Sequence, residues 1–284
     1  MIPSSAPRHR SFRGLSPHGF HRVAWHEWGE QDQPRVVIAV HGLTRTGRDF
    51  DRLGAALAAN HRVLAIDMPG RGRSEWLAVK QDYAFPVYLA TLAALIAASG
   101  AESVDWIGTS MGGLLGMLMA AMPGTPVARL VVNDVGPTVD PGGLARLASY
   151  VGKDPTFATR NEIGAYIRAI SPFGALDDEA WAHLTDTVIA QRPDGRWGFI
   201  YDPGIAVAFG EAAAAVDLWP AWDAIACPTL LLRGAQSDVL SSATAREMTQ
   251  RGPRPRCIEF AGVGHAPALM TADQIDAIVG FLGH

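Results

Sequence analysis

Cysteine is scarce in this sequence, which limits the class of protein it can encode. Only Cys227 and Cys257 occur among 284 residues, too few for a disulfide framework. Residues 1–10 lack the apolar core of a signal peptide, and no apolar run approaches the roughly 20 residues of a membrane span. We therefore expect a cytoplasmic protein with reduced thiols, no membrane partner and a short mobile arm at its start.

Runs of one charge and ligand-binding motifs are also missing. The 24 Lys and Arg residues against 28 Asp and Glu residues leave a net charge of −4, so a nucleic-acid partner is not expected. No His, Cys and carboxylate residues share the spacing of metal ligands, and no glycine-rich loop has the phosphate-binding pattern. We therefore predict neither a metal nor a cofactor, and the sequence specifies no oligomeric state.

What the sequence does contain is an alternation of strands and helices. Apolar runs alternate with helical runs from about residue 20 to residue 135 and again after residue 228, a pattern typical of parallel βαβ units. Residues 137–222 are instead mostly helical in pattern and are divided by prolines. We predict a core of residues 1–136 and 223–284, with residues 137–222 inserted as a helical cap at the carboxyl end of the sheet, where ligands bind.

A serine lies at a predicted junction between a strand and a helix. The sequence Gly-Thr-Ser-Met-Gly at residues 108–112 follows one apolar run and opens a helical run, which is the context of a nucleophile elbow. Gly108 and Gly112 lack Cβ atoms, so the chain can turn back tightly there. Ser110 is therefore the candidate nucleophile. The alternative is a glycine-rich turn with a serine that caps the helix.

A hydroxyl is a poor nucleophile until a base takes its proton, so a base should reach Ser110. His265 lies in a glycine-containing loop that follows the apolar run of residues 256–260 and precedes the last predicted helix. The other histidines are near the amino terminus, in predicted strands or helices, or at the end of the chain. His265 is thus the candidate base, and a histidine in a surface loop is the alternative.

The imidazole needs an acid that holds its tautomer and stabilises its charged form. Asp238 follows a buried-looking strand and a polar turn, and the order Ser110, Asp238, His265 is the chain order of one known fold. Asp134, at the end of the strand after the elbow helix, is the competing candidate. We favour Asp238, because Asp134 can equally be a residue that binds backbone at a strand end.

At this point the chain resembles the α/β-hydrolase superfamily over nearly its whole length. His-Gly-Leu at residues 41–43 resembles the family's oxyanion loop, residues 67–74 resemble the turn after its fourth strand, and Gly-His at residues 264–265 matches its histidine loop. The resemblance implies a mostly parallel eight-stranded sheet with an inserted helical cap. It says little about substrate, because one fold hosts many chemistries.

An attacked carbonyl develops negative charge on its oxygen, and backbone N–H groups aimed at that oxygen stabilise it. Met111 follows the nucleophile at the start of a helix, so its N–H is one expected donor. Leu43, in the loop after the third strand, is expected to supply the second. We expect the ring of His41 to pack and bond under this loop rather than to transfer protons.

The predicted cap carries 11 of the 23 aromatic residues, Phe209 among them. A small helical layer needs bulky residues to bury enough area, which is one explanation. The other is an apolar pocket for an acyl or alcohol group that faces Ser110.

These residues predict a serine hydrolase that cleaves small to medium carboxylic esters through an acyl-enzyme. An alternative within the fold is a hydrolase of carbon–carbon bonds in meta-cleavage products, or of enol-lactones, whose carboxylate substrates call for a pocket arginine. Haloalkane dehalogenase and epoxide hydrolase activities are disfavoured, because those enzymes have Asp at the position of Ser110. A ligand receptor built on the same fold is the alternative of another class. The arginines of the cap region are Arg146, Arg160, Arg168, Arg192 and Arg196.

Overall fold

An eight-stranded sheet forms the centre of the protein. The computed structural model describes residues 6–207 and 217–283. The sheet has the order β1-β2-β4-β3-β5-β6-β9-β10, and a separate hairpin contains β7 and β8. The strands are β1 (Arg8–Ser16), β2 (Gly19–Trp28), β3 (Val36–Val40), β4 (Arg62–Asp67), β5 (Val104–Thr109), β6 (Val127–Asn133), β7 (Ile189–Gln191), β8 (Trp197–Phe199), β9 (Thr229–Gly234) and β10 (Arg256–Phe260).

The sheet is mostly parallel, as predicted. Only the pairings of β1 with β2 and of β2 with β4 are antiparallel, and the other neighbours run parallel. All five residues of β3 are buried, because a central parallel strand is covered by helices on both faces. Val36, Ile38 and Val40 join the core on one face, while Val37 and Ala39 join the core on the other.

The helices form a layer on each side of this sheet. Helices α2 and α3 contribute to the same core as Val36, Ile38 and Val40, and α1 and α9 contribute to the opposite core. The helices are α1 (Asp51–Leu57), α2 (Phe85–Ser99), α3 (Met111–Ala121), α4 (Pro141–Ala148), α5 (Arg160–Ile170), α6 (Asp178–Asp186), α7 (Trp219–Ala224), α8 (Ser242–Met248) and α9 (Ala272–Leu282).

The start of the chain differs from its prediction. Residues 8–10 belong to β1, which pairs with β2 along its whole length, from Arg8 opposite Glu27 to Ser16 opposite Gly19. The expectation of a mobile arm is therefore wrong for residues 8–10. Most residues of β1 are polar and exposed, so this edge strand has no apolar run to reveal it. Its backbone pairing and the ion pair of Arg8 with the buried Glu27 hold it in place.

The segment between β6 and β9 contains α4 to α7 and also the β7–β8 hairpin, which the predicted helical pattern did not include. Ile189 lies opposite Phe199 in this hairpin. Ile163, Ile167 and Trp181 form a separate apolar cluster with the hairpin residues. Many of the aromatic residues in this segment therefore pack on each other. Phe209 lies outside the described residues.

Within residues 6–207 and 217–283, no helix has both the length and the apolar character required to cross a membrane. Cys227 and Cys257 are both half-buried free thiols. They therefore contribute to packing at the β9–β10 end of the sheet, not to a covalent link.

Candidate active site

Ser110 occupies a strained turn between β5 and α3. Its backbone has φ 54° and ψ −117°, a left-handed conformation that a non-glycine residue rarely adopts. A Cβ on Gly108 would lie 2.1 Å from the Gly112 carbonyl oxygen, and a Cβ on Gly112 would lie 2.0 Å from the Val40 carbonyl oxygen. Both positions therefore require glycine for a steric reason, as the sequence pattern indicated.

The hydroxyl of Ser110 does not cap the helix that it precedes. Its side chain makes no capping hydrogen bond to α3, which argues against the alternative of a capping serine. The Ser110 N–H instead donates to the Asn133 carbonyl at 2.9 Å. The turn is thus fixed by backbone bonds, and Oγ is left available for another partner.

That partner is His265, in the loop after β10. His265 Nε2 lies 2.9 Å from Ser110 Oγ, and only 8 % of the histidine is exposed. Among the hydrogen bonds that hold this loop, Gly264 N–H donates to the Pro172 carbonyl at 2.7 Å, and Asn133 Nδ2 donates to the Pro267 carbonyl at 2.8 Å. The structure therefore brings the predicted nucleophile and the predicted base together.

The acid that contacts His265 is Asp134. Asp134 Oδ2 lies 2.8 Å from His265 Nδ1. Asp238 instead forms a two-bond ion pair with Arg146, with Nε to Oδ2 at 2.5 Å and Nη2 to Oδ1 at 2.8 Å. The prediction that Asp238 would contact His265 is therefore wrong, and the competing candidate occupies that position.

Two features of the fold explain this exchange of acids. Asp134 has φ 59°, and its buried carboxylate accepts from Gly234 N–H at 2.8 Å and from Ser237 Oγ at 2.6 Å. Asp238 pairs with Arg146 in α4, and the Arg146 guanidinium lowers the pKa of the Asp238 carboxyl group. A carboxylate acts only as an acceptor, so Nδ1 of His265 carries the proton and Nε2 is free to accept from Ser110.

The loop after β3 comes close to Ser110. A Cβ on Gly42 would lie 3.6 Å from the Ser110 Cβ, and Leu43 lines the same pocket as Ser110 and His265. Met111 follows Ser110 as the first residue of α3. In the part of the chain that the structure describes, neither the Leu43 N–H nor the Met111 N–H has a protein acceptor. Both are therefore available to an oxygen atom bound beside Ser110.

His41 supports this loop from below. It is fully buried, with Nδ1 2.6 Å from the Gly42 carbonyl, and its Nε2 accepts from Met68 N–H at 3.0 Å. Burial lowers the pKa of His41 from 6.5 to about 4. The ring is thus neutral, carries its proton on Nδ1 and packs under the loop as expected.

The pocket above Ser110 is lined by apolar residues from the segment between β6 and β9. Tyr150, Phe173 and Phe199 are the aromatic residues of that segment at the pocket wall. Arg45 also lines the pocket and was not singled out in the sequence. Its guanidinium forms a two-bond ion pair with Asp49, at 2.8 and 2.6 Å.

None of the five arginines of residues 137–222 lines the pocket. Arg146 is paired with Asp238, and Arg196 bonds to Thr156. The three remaining ion pairs are Arg160 with Asp186, Arg168 with Asp178, and Arg192 with Asp154. Among the described residues, Arg45 is therefore the cation at the pocket wall.

Residues 37–279 match the model of the alpha/beta hydrolase family, and the chain belongs to that family. It is 44% identical to a 3-hydroxybutyrate-oligomer hydrolase of Cupriavidus necator, over 96% of this chain and 96% of that protein. It is 25% identical to the esterase YbfF of Escherichia coli, over 86% of this chain and 89% of that protein.

A solved structure of an alpha/beta hydrolase from Novosphingobium aromaticivorans superposes with a TM-score of 0.88 at 37% identity, covering 98% of each chain. The family resemblance inferred from the motifs is thereby confirmed. Together these similarities support a hydrolase enzyme.

Proposed function

We propose that this protein is a serine hydrolase of carboxylic esters, with Ser110, His265 and Asp134 as its catalytic residues. The observation that carries the proposal is the pair of short contacts made by His265. Nε2 lies 2.9 Å from Ser110 Oγ, and Nδ1 lies 2.8 Å from Asp134 Oδ2. This arrangement suits proton removal from a hydroxyl.

In the proposed reaction, Ser110 Oγ attacks the ester carbonyl carbon while His265 Nε2 takes the hydroxyl proton. Asp134 holds the imidazole and stabilises its cationic form. The carbonyl oxygen becomes an oxyanion that accepts from the N–H groups of Leu43 and Met111. His265 then gives its proton to the departing alcohol, and an acyl-enzyme remains.

Water completes the cycle. It attacks the acyl carbon as His265 takes one of its protons, and the second tetrahedral intermediate collapses with release of the carboxylic acid. His265 returns the proton to Ser110 Oγ. The chemistry uses no group beyond the side chains and backbone of this chain and a water molecule.

For the substrate, we propose short oligomers of 3-hydroxybutyrate, whose units are joined by ester bonds. The support is the 44% identity to the Cupriavidus necator hydrolase of such oligomers, together with an apolar pocket suited to methyl-bearing units. We further propose that residues 137–222 act as a cap that selects substrates. The carbon–carbon hydrolase alternative lacks comparable support, since the pocket cation Arg45 is already paired with Asp49.

The test is hydrolysis of the 3-hydroxybutyrate dimer and trimer by the wild type and by Ser110→Ala, with product acid measured over time. We expect Ser110→Ala to lose at least about a thousandfold in rate, because residual effects of binding and the oxyanion site alone remain. Ser103→Ala is the matched control, since Ser103 is an exposed serine that precedes β5 at the other end of the same strand.

Two results would reject the proposal. Near-normal turnover by a folded Ser110→Ala protein would show that Ser110 is not the nucleophile. A wild type that binds esters but completes at most one slow cycle would instead indicate a receptor on the hydrolase fold.

A further inference from the structure

Arg71 is a fully buried cation close to the candidate active site. It lies in the turn after β4 and has no exposed surface. No Asp or Glu oxygen of the described residues lies within 4.0 Å of its guanidinium. A buried charge without a counter-charge is costly to fold. Its presence here therefore calls for an explanation.

The contacts of Arg71 are with neutral acceptors. Nε donates to the Leu43 carbonyl at 2.8 Å, and Nη1 donates to the Pro69 carbonyl and to Tyr88 Oη, both at 2.7 Å. Nη2 lies 3.9 Å from Met111 Sδ. The guanidinium carbon also lies 5.3 Å from the centre of the Tyr88 ring. These partners hold the planar group in place without neutralising its charge.

Two of these partners, Leu43 and Met111, are the residues whose N–H groups are proposed to hold the oxyanion. Arg71 contacts both residues but does not line the pocket, so it reaches them from the core side. The Gly42 carbonyl is held by His41 at 2.6 Å. In a trans peptide the N–H points opposite to the carbonyl. The Leu43 N–H is thus directed by His41, and the carbonyl of Leu43 itself is anchored by Arg71.

We infer that Arg71 is a positioning residue for the oxyanion site, and that its unpaired charge stabilises the oxyanion from beneath. This inference rests on the proposed function, since it requires an oxyanion beside Ser110. In a site of low dielectric constant, a fixed positive charge favours the developing negative charge without reorganisation. The neutral ester carries no such charge, so it gains much less.

The test separates binding of the tetrahedral state from binding of the substrate. A trifluoromethyl ketone mimics the tetrahedral state: Ser110 Oγ adds to its carbonyl carbon, the proton passes to His265, and the carbonyl oxygen becomes an oxyanion. We measure kcat, KM and the inhibition constant of this ketone for Arg71→Met and Arg71→Lys. Substrate Kd is measured with each change in a Ser110→Ala background.

We expect Arg71→Met to lower kcat by about 10- to 100-fold, less than the full loss of one oxyanion donor. The inhibition constant of the ketone should rise by a similar factor, while KM and the substrate Kd change by less than about threefold. Arg71→Lys should fall between wild type and Arg71→Met, because lysine keeps the charge but not the planar fork. Arg246→Met, at an exposed position on α8, should match the wild type.

An inhibition constant that stays at the wild-type value in a folded Arg71→Met protein would overturn the inference. So would a loss that appears equally in substrate Kd and ketone binding, since that is the result of a purely structural role. If Arg71→Met does not fold, the same comparison is made with Arg71→Lys and Tyr88→Phe. In each, the change in the ketone inhibition constant is compared with the change in substrate Kd. Activity in Ser110→Ala would reject the proposed function separately.

Discussion

Replacing Asp134 by asparagine should nearly abolish activity, whereas the same change at Asp238 should not. Asp134→Asn leaves His265 Nδ1 opposite an amide, so the imidazolium loses its counter-charge and the tautomer with a free Nε2 is no longer favoured. The change of Asp to Asn in the catalytic triad of a serine protease costs about 10 000-fold in kcat. We expect a loss of about 1000- to 10 000-fold here.

The structure also gives the expected effects on stability. The Asp134 carboxylate accepts from the Gly234 N–H, the Ser237 hydroxyl and His265, and an amide cannot accept from all three. One buried donor is then unsatisfied, at a cost of about 1–3 kcal/mol. The Asp238 side chain is 38 % exposed in its pair with Arg146. Its substitution should therefore cost at most about 1 kcal/mol and change activity by less than about threefold.

The assay is kcat/KM with a p-nitrophenyl ester, measured for both variants beside their thermal unfolding midpoints. Each serves as the control of the other, since both change one carboxylate to an amide. A crippled Asp238→Asn protein together with a nearly normal Asp134→Asn protein would refute the reasoning. It would mean that the acid exchanges during the reaction and that the contact at 2.8 Å is not the one used.

Two other predictions concern pH and the pocket. Burial lowers the pKa of His61 from 6.5 to about 4, so between those values the unfolded chain binds a proton that the native chain does not. The free energy of unfolding should therefore fall as the pH drops from 6.5 to 4, and it should fall less in His61→Leu. Urea unfolding at several pH values measures this, and the same dependence of unfolding free energy on pH in both proteins would contradict it. Phe199→Ala should change the preferred acyl length. The free energy of transition-state binding should differ by about 1–3 kcal/mol per methylene, measured as kcat/KM with p-nitrophenyl esters of increasing chain length. Phe20→Ala, at a position 73 % exposed, is its control, and an unchanged profile in the folded Phe199→Ala protein would contradict a role for this residue in substrate choice.

The central strands and the turn at Ser110 could be predicted because their signals are local. The bounds of β3 match its apolar run, since a buried central strand must be apolar along its length. The edge strand β10 has the predicted bounds of residues 256–260, although only Phe260 in it is buried. The glycines on either side of Ser110 are required by contacts within the turn and with the adjacent strand. Such constraints leave a pattern in neighbouring residues, so they can be read in order along the chain.

Elements whose stability comes from backbone pairing were harder to predict. The edge strand β1 is mostly exposed and polar, and the strands of the β7–β8 hairpin have three residues each. Neither provides a periodic run of apolar side chains. Their position depends on partner strands, so only the assembled sheet and hairpin reveal them. For the same reason, the start of the chain resembled a mobile arm.

The sequence alone therefore determined the fold class, the position of the candidate nucleophile and the loop that carries His265, while the tertiary structure decided which carboxylate contacts His265. Asp134 and Asp238 both follow buried strands, and nothing nearby in sequence distinguishes them. The distinction comes from Arg146, 92 positions before Asp238, and from the Gly234 and Ser237 donors, 100 and 103 positions after Asp134. A carboxylate takes the position in which hydrogen-bond donors and opposite charge stabilise it, and those partners come together only once the chain has folded.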